Sequence, residues 1–213
     1  MKRREATAKQ EFILATGNPH KLREMSEALS GVELKPLPAG VELPPETGDS
    51  FEANALIKAR AAHAATGEVT IADDSGIEAA DLGGAPGIYS ARYAGEGAGD
   101  EENLAKLLRE VDAAGGDRRA AYVCVIALID EDGHEYCFEA SCEGTLLREG
   151  RGTGGFGYDP AFVPDETGHR DQRTFSELTA AEKHAISHRG KAARMLARHL
   201  GLEPEGQMPE SLP

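Results

Sequence analysis

The feature that most constrains this chain is a short apolar run followed at once by two acidic residues. Residues 69–72 read Val-Thr-Ile-Ala, which is typical of a buried β-strand, and Asp73, Asp74, Ser75 and Gly76 come next. A strand that ends in carboxylates is unsuited to closing an apolar core, and it favours an α/β sheet whose carboxyl edge forms a ligand site. Carboxylate oxygens are preferred ligands of Mg²⁺, so the pair indicates a metal site. A solvated turn explains this motif equally well, since Asp, Ser and Gly are common turn residues.

The composition excludes several classes of protein. A chain of 213 residues that is 40% hydrophobic and 28% charged is long enough for one large domain or two small lobes. No run approaches the ~18 apolar residues that a membrane span needs, and no export signal follows the charged residues 1–10. The net charge of −14 argues against a protein that coats nucleic acid. A small nucleotide remains a suitable ligand, because it needs only a few local cations.

The three cysteines indicate the compartment. Cys124, Cys137 and Cys142 have no CxxC spacing and lie in strand-like stretches. We therefore expect buried thiols in a reducing compartment, which is the cytoplasm.

A strand, a turn and a helix are predicted near the start of the chain. Residues 12–15 read as a strand, and residues 16–21 lead from it into a helix. Thr16, Asn18 and Lys21 then lie around a helix N-terminus, where unpaired N–H groups and the helix dipole attract anions. The segment lacks the Walker A pattern, and a plain strand–turn–helix unit is its commoner explanation.

The rest of the chain also alternates between strands and helices. The predicted elements are a strand at 32–37, a helix at 51–66, a loop at 82–93, a helix capped by Asp100, strands at 120–129 and 135–143, and a final helix at 179–200. Asp49 or Ser50 caps the helix at 51–66, and the Asp132–Gly133 turn joins two antiparallel strands. Read alone, Glu46 before that helix is a solvated acid, and Lys58 within it is a surface lysine.

A glycine-dense loop at residues 152–160 holds Phe156, Tyr158 and Asp159. A flexible connector is one interpretation of such a loop, but connectors rarely carry two aromatic residues. A backbone that lies close to a flat ligand, with one ring stacked on it, fits the composition better.

Five blocks of sequence together resemble one known family. They are TGNPHK at 16–21, ETGDSFEANALIKARAA at 46–62, ADDSGIEAADLGGAPGIYSARYAG at 72–95, GTGGFGYDPAFVP at 152–164 and FSELTAAEKHAISHRGKA at 175–192. The chain resembles the inosine triphosphate/xanthosine triphosphate pyrophosphatases, which remove deaminated purine nucleotides. The blocks occur in the family's order and cover nearly the whole chain apart from its ends.

The resemblance implies a fold and a reaction. The fold is α/β, with a long curved mixed β-sheet flanked by helices, two lobes around a central nucleotide cleft, and a homodimeric assembly. We expect residues 11–202 to form this two-lobed domain, 1–10 an N-terminal extension and 203–213 a C-terminal tail. The implied reaction is Mg²⁺-dependent hydrolysis of ITP, dITP or XTP between the α and β phosphates, giving the monophosphate and pyrophosphate and cleansing the nucleotide pool.

The resemblance also implies residue roles. The phosphate-binding turn comprises Thr16, Gly17, Asn18, Pro19, His20 and Lys21. The acids around Mg²⁺ are Glu46, Asp73 and Asp74, and Asp74 is also the catalytic base. The other matching substrate contacts are Ser75, Phe156, Gly157, Tyr158, Asp159, Lys183, His188 and Arg189. Lys58 completes the set, because with Lys21 and Lys183 it would offset the charge of a triphosphate.

Recognition of the base follows from its hydrogen-bonding groups. Deaminated purines carry a 6-oxo acceptor where adenine carries a 6-amino donor. A donor pair such as His188 and Arg189 can donate to the 6-oxo group, whereas the 6-amino group of adenine would set a donor against a donor. A bidentate base contact of this kind discriminates by about 1–3 kcal/mol. It does not explain rejection of GTP, whose 2-amino group must be excluded elsewhere.

Two other functions are compatible with parts of the sequence. One is a phosphomonoesterase that uses Asp73 or Asp74 as a covalent nucleophile, and the other is a non-catalytic nucleotide-binding protein. Residues 164–174 also form a longer connector than the family usually has. Contact of its His169, Arg170 and Arg173 with substrate or a partner is one interpretation, and a solvated loop is the favoured one.

Overall fold

The strands form one open, mixed sheet in the computed structural model, which describes residues 10–29, 31–168 and 170–202. They are β1 (Glu11–Leu14), β2 (Glu33–Pro36), β3 (Thr70–Ala79), β4 (Arg119–Ile129), β5 (Glu135–Leu146) and β6 (Phe162–Pro164). Their spatial order is β2-β1-β3-β4-β5-β6. β1 runs parallel to β2 and β3, whereas β3 to β6 pair antiparallel, so the mixed α/β fold is confirmed.

Five helices accompany the sheet within the described ranges. They are α1 (Pro19–Ala28), α2 (Phe51–Thr66), α3 (Asp100–Ala114), α4 (Ala180–Ile186) and α5 (His188–His199). Ser50 caps α2 as predicted, since its hydroxyl accepts the N–H of Ala53 at 3.1 Å. Helix α2 ends at Gly67, whose φ of +70° is the left-handed conformation that glycine adopts at little cost. Helix α3 starts one residue earlier than expected, with Gly99 rather than Asp100 at its cap.

Apolar packing covers both faces of the sheet. One face, which includes Ile71 and Ile126, packs against α1 and α5. The opposite face, which includes Ala72 and Val125, packs against α2. A third cluster lies farther along β3 and β4, around Ile77, and includes residues of α3 and of the segment that follows β5. The central strands therefore carry packed apolar groups on both sides of Asp73–Gly76.

Strand β3 does not end before its acidic residues, and that expectation is wrong. It continues to Ala79, with Asp73 opposite Ile126 and Asp74 opposite Val125 of β4. The antiparallel partner β4 satisfies the backbone along the whole length of β3, so the strand persists through the acids. The parallel partner β1, however, pairs only as far as Ile71. In the described chain no strand covers that edge of β3 from Ala72 to Ile77, and the site opens there.

The predicted final helix is two helices. Ser187 lies between them in an extended conformation (φ −66°, ψ 154°), and its hydroxyl accepts the N–H of Gly190 at 3.1 Å. A Cβ atom on Gly190 would lie 1.9 Å from the carbonyl oxygen of His184, so a larger residue does not fit this junction. The break places His188 and Arg189 in the first turn of α5, where both are buried.

Several smaller expectations have mixed outcomes. Cys124 and Cys142 are buried thiols as expected, but Cys137 is exposed because it lies on the uncovered face of β5. Arg173 in the long connector bonds to Asp171 and Glu182, which agrees with a solvated loop.

Residues 1–9, His169 and the tail 203–213 lie outside the described residues. No helix among the described residues is long and apolar enough to cross a bilayer.

Candidate active site

A cavity of about 740 Å³ opens at the uncovered edge of β3. Fifteen of the predicted site residues line it: Thr16, Gly17, Asn18, Lys21, Glu46, Lys58, Asp74, Ser75, Phe156, Gly157, Tyr158, Asp159, Lys183, His188 and Arg189. Pro19, His20 and Asp73 are predicted site residues that do not line it. The cavity therefore gathers residues from the turn before α1, from α1, α2 and β3, from the glycine-dense loop and from the last two helices.

The turn before α1 is shaped by its own side chains. Asn18 Oδ1 accepts the N–H groups of His20 at 2.8 Å and Lys21 at 3.4 Å, and Thr16 Oγ1 accepts the N–H of Asn18 at 3.1 Å. Asn18 is thus the N-cap of α1. This arrangement fixes the start of the helix and directs Lys21 toward Asp73, whose Oδ2 lies 3.1 Å from Lys21 Nζ.

Glu46 and Asp74 meet at one buried lysine. Lys58 Nζ donates to Glu46 Oε1 at 2.6 Å and lies 3.5 Å from Asp74 Oδ1. Burial raises the pKa of Asp74; Lys58 opposes this rise and Glu46 adds to it. Burial also acts to raise the pKa of Glu46, but the adjacent Lys58 outweighs it, and the net shift is downward. Asp74 Oδ2 is buried and has no hydrogen-bond partner among the described residues.

Asp73 belongs to the opposite face of the sheet. Adjacent strand residues point to opposite faces, so Asp73 is directed toward α1 and α5 while Asp74 is directed toward α2. Arg189 donates to Asp73 Oδ2 through Nη2 at 3.2 Å and Nε at 3.3 Å, on the side where Lys21 also lies. Burial acts to raise the pKa of Asp73, but Lys21 and Arg189 outweigh it and hold the pKa far below its usual range. Asp73 Oδ1 is buried without a hydrogen-bond partner in the described chain.

The three predicted metal ligands are therefore not brought together. Across the described ranges, no three or more His, Cys, Asp or Glu side chains are grouped to hold a metal ion. Glu46 and Asp74 lie next to each other at the cavity, on either side of Lys58. Asp73 is instead a buried counter-charge for Lys21 and Arg189. The reason is that β3 continues through the pair, and a continuous strand cannot direct neighbouring side chains to the same side.

The glycine-dense loop is anchored by its acid and its tyrosine. Asp159 Oδ2 accepts the N–H of Phe156 at 3.0 Å and lies 2.7 Å from Lys183 Nζ. Tyr158 is buried and donates its hydroxyl to the carbonyl oxygen of Ser90 at 2.7 Å, so it fastens the loop. Phe156 lines the cavity, and its ring stacks on the ring of His20, which does not line it, with centroids 5.2 Å apart.

His188 is held as a neutral imidazole. Burial and the adjacent Arg189 and Lys183 lower its pKa well below the usual value. Its ring lies parallel to that of Tyr122, with centroids 4.6 Å apart and an interplanar angle of 5°. Its Nδ1 is buried and has no hydrogen-bond partner among the described residues. His188 can therefore offer this ring nitrogen to a ligand.

Arg189 uses most of its donors within the protein. Besides Asp73, its guanidinium donates to Ser75 Oγ at 2.8 Å and to a carboxylate oxygen of Glu24. Glu24 also accepts from Lys183 Nζ at 2.8 Å. Consecutive ion pairs thus connect these residues from the turn before α1 to the glycine-dense loop: Lys21, Asp73, Arg189, Glu24, Lys183 and Asp159.

Among the residues of the site that were not predicted from the sequence are Glu24, Arg92 and Tyr122. For Glu24, its position three residues after Lys21 on one helix face is a usable signal. Arg92 lines the cavity and lies within the third block of resemblance. Tyr122 donates its hydroxyl to Asp159 Oδ1 at 3.1 Å, and nothing in the alternation of β4 distinguishes it from a core residue.

Comparisons with known proteins agree with this fold. The sequence matches the Ham1 family over residues 12–199. It is 46% identical over 202 residues to a dITP/XTP pyrophosphatase of Erwinia tasmaniensis, covering 92% of this chain and 97% of that relative. It is 45% identical over 187 residues to a dITP/XTP pyrophosphatase of Thermus thermophilus, covering 86% of this chain and 88% of that relative.

Solved structures give the same result. A HAM1 protein from Coxiella burnetii has a TM-score of 0.81 and 44% identity, covering 91% of this chain and 100% of that one. A nucleoside-triphosphatase / dITP/XTP pyrophosphatase from Mycobacterium abscessus has a TM-score of 0.70 and 43% identity, covering 90% and 99%. Sequence and fold thus agree across nearly the whole length of both partners, and the chain belongs to the Ham1 family.

Proposed function

We propose that this chain is a nucleoside triphosphate pyrophosphatase that converts ITP, dITP and XTP to the monophosphate and pyrophosphate. The observation that carries the proposal is one cavity whose two parts suit the two ends of such a substrate. Lys21, Lys58 and the Glu46–Asp74 pair lie in one part, and His188 with Lys183 lies in the other. A volume of about 740 Å³ is within the range of small-molecule sites. The names of the relatives support the same reaction.

Mg²⁺ is the cofactor in this proposal, with Glu46 and Asp74 as its protein ligands. Support comes from the unpartnered buried oxygen of Asp74 and from the second carboxylate at the same lysine. Two carboxylates suffice, because Mg²⁺ in nucleotide-hydrolysing enzymes takes its other ligands from water and phosphate oxygens. When bound, the ion supplies neutralisation of charge on the phosphate oxygens.

Asp74 orients the attacking water and accepts its proton. Phosphoanhydride cleavage needs charge neutralisation and an in-line water more than a protein nucleophile. Burial raises the pKa of Asp74, which makes it a stronger base than an ordinary carboxylate at neutral pH. Lys58 remains paired with Glu46, and Lys21 offsets charge on the phosphates from the other face of β3. Asp73 holds Lys21 and Arg189 in place.

His188 and Lys183 contact the base. The unpartnered Nδ1 of the neutral His188 can donate to a 6-oxo group, and adenine would present a donor against it. Asp159 and Glu24 fix the ammonium of Lys183 beside the ring of Phe156, whose centroid lies 5.1 Å from Lys183 Nζ. These contacts favour ITP over ATP by about 1–3 kcal/mol, which is roughly fivefold to 150-fold.

A substrate panel tests the reaction. With Mg²⁺, we expect kcat/KM for ITP, dITP and XTP to exceed the value for ATP by about fivefold to 150-fold. Ion-exchange chromatography should show IMP and pyrophosphate from ITP, and a chelator should abolish turnover until Mg²⁺ is restored. Release of IDP and orthophosphate would indicate phosphatase chemistry instead. Binding of ITP without turnover would identify a nucleotide-binding protein.

We propose a homodimer in the cytoplasm as the working form. The resemblance of the sequence to a dimeric family supports the assembly, and a substrate drawn from the nucleotide pool supports the compartment. Light scattering on the purified chain at micromolar concentration should give twice the mass of one chain. The mass of a single chain under those conditions would contradict the dimer.

A further inference from the structure

We propose that Arg92 is a phosphate-binding residue that contacts the substrate triphosphate beside the Glu46–Asp74 pair. This inference rests on the proposed function, because it assigns a further contact in the same reaction. Arg92 lines the cavity, and its Nη1 lies 3.6 Å from Glu46 Oε2. The other oxygen of the same carboxylate accepts from Lys58. Arg92 is therefore on the side of the cavity where the reaction takes place.

Arg92 differs from the other cations of the cavity in its hydrogen bonds. The cations Lys21, Lys58, Lys183 and Arg189 each have an oxygen of the protein within 3.1 Å. In the described chain the ionic contacts of Arg92 are longer, 3.6 Å to Glu46 and 3.8 Å to Glu96. Its guanidinium carbon lies 5.3 Å from the centroid of the Tyr89 ring, which takes no N–H donor in the plane of the fork. A guanidinium has five N–H donors in a planar fork. Its donors are thus available to an anion that enters the cavity.

The backbone that carries Arg92 is fixed in advance. Ser90 Oγ accepts the N–H of Ile77 in β3 at 2.9 Å, and the carbonyl oxygen of Ser90 accepts the hydroxyl of Tyr158 at 2.7 Å. The side chain of Asn103 on α3 donates to the carbonyl oxygen of Ala91 at 3.2 Å and accepts the N–H of residue 94 at 2.7 Å. Both sides of Arg92 are therefore anchored to other elements. Such preorganisation is expected where a side chain must meet a charged group in one geometry.

Glu46 explains why the guanidinium stays at the cavity without substrate. Its carboxylate attracts Arg92 across 3.6 Å, too far for a hydrogen bond, and the side chain of Glu96, 3.8 Å away, is 91% exposed. Two oxygens of a phosphate group can accept parallel N–H bonds from one guanidinium, which is a stronger interaction than these ionic contacts. A phosphate in the cavity is thus the better partner. Binding places the positive charge where negative charge accumulates during phosphoryl transfer.

Two variants and a matched control test this role. Arg92→Ala removes the fork, and Arg92→Lys keeps only a point charge. Arg60→Ala is the control, since Arg60 is exposed on α2, bonds to Glu135 and does not line the cavity. The readouts are kcat and KM for ITP, and calorimetric binding of two probes in the presence of Mg²⁺. The probes are inorganic pyrophosphate and inosine, which carries no phosphate.

We expect Arg92→Ala to lower kcat/KM for ITP by about 100-fold and to weaken pyrophosphate binding about tenfold or more. Inosine binding should stay within about twofold, because no phosphate is involved. Arg92→Lys should fall between the wild type and Arg92→Ala, and Arg60→Ala should match the wild type.

Three results would overturn the assignment. They are turnover within about threefold of wild type in Arg92→Ala, wild-type turnover in Arg92→Lys, and equal weakening of pyrophosphate and inosine binding. The Arg92→Lys arm still decides the matter if Arg92→Ala does not fold. Failure of the wild type to hydrolyse ITP would contradict the proposed function. Loss of pyrophosphate affinity in Arg92→Ala would, even then, support the phosphate-binding role of Arg92.

Discussion

Asp74→Asn should lower the kcat for ITP hydrolysis by about 10³-fold and leave the fold as stable as the wild type. The amide of asparagine cannot accept the proton of the attacking water, and it is a weaker ligand for Mg²⁺ than a carboxylate. The 2.6 Å bond from Lys58 to Glu46 does not involve Asp74, so we expect it to persist in the variant. We therefore expect the loss in kcat, and the residual turnover should still give IMP and pyrophosphate.

The stability of this variant follows from the burial of Asp74. Burial raises the pKa of this carboxyl, which means that its charged form is disfavoured in the folded protein at neutral pH. A neutral side chain of the same shape removes that penalty. We expect the free energy of unfolding, measured in urea, to change by at most about 1 kcal/mol or to rise.

Asp132→Asn provides the matched control for activity. Asp132 is exposed in the turn between β4 and β5, far from the cavity lining, and the substitution makes the same change in charge. It should retain wild-type turnover. If Asp74→Asn kept more than about a tenth of the wild-type kcat, Asp74 could not be the base, since base catalysis contributes roughly 10²–10⁴-fold.

Asp73→Asn should lower the free energy of unfolding by about 3–5 kcal/mol, because it breaks a buried ion pair from one side. The side chain of Asp73 is fully buried, with Lys21 at 3.1 Å and Arg189 at 3.2 Å. An amide cannot neutralise these two cations, and they remain in the interior. Urea unfolding followed by circular dichroism gives the change, and an unaltered dependence on urea concentration shows that the unfolded state is the same.

The neighbouring residue is the control for this second experiment. Asp73→Asn and Asp74→Asn remove the same charge from adjacent positions of one strand, yet only Asp73→Asn should be strongly destabilising. Equal effects of the two substitutions on stability would contradict the assignment of the two acids to different faces. The same result would imply that Asp73 and Asp74 act as one group at the cavity.

Local features of this site were predictable from the sequence. The turn before α1, the cap of α2 at Ser50 and the hairpin of β4 and β5 depend on residues close together in the chain. Their conformations are set by turn residues, capping side chains and hydrophobic periodicity. One cavity contains Asp74, Lys58, Lys183 and His188, as predicted. Their assignment to a common site, however, depended on the resemblance to a known family.

The position of the break in the last helical segment illustrates a limit of that prediction. The run 179–200 has helical periodicity throughout, and no proline interrupts it. The chain nevertheless becomes extended at Ser187, where the hydroxyl caps the next helix. Periodicity cannot detect such a break, since the residues on both sides favour helix. The break then decides that His188 and Arg189 lie in the first turn of α5.

The sequence by itself determined which elements form, which residues are available for chemistry and which family the chain resembles. Only the tertiary structure decided what each acid contacts. The run of residues 70–79 can end at its acids or continue, and its pairing with β4, about fifty positions later in the chain, makes it continue. Glu24 gains its role from Lys183, 159 positions away, and Arg189 meets Asp73 across 116 positions. Contacts of this kind depend on how distant segments pack, because local preferences extend over only a few residues.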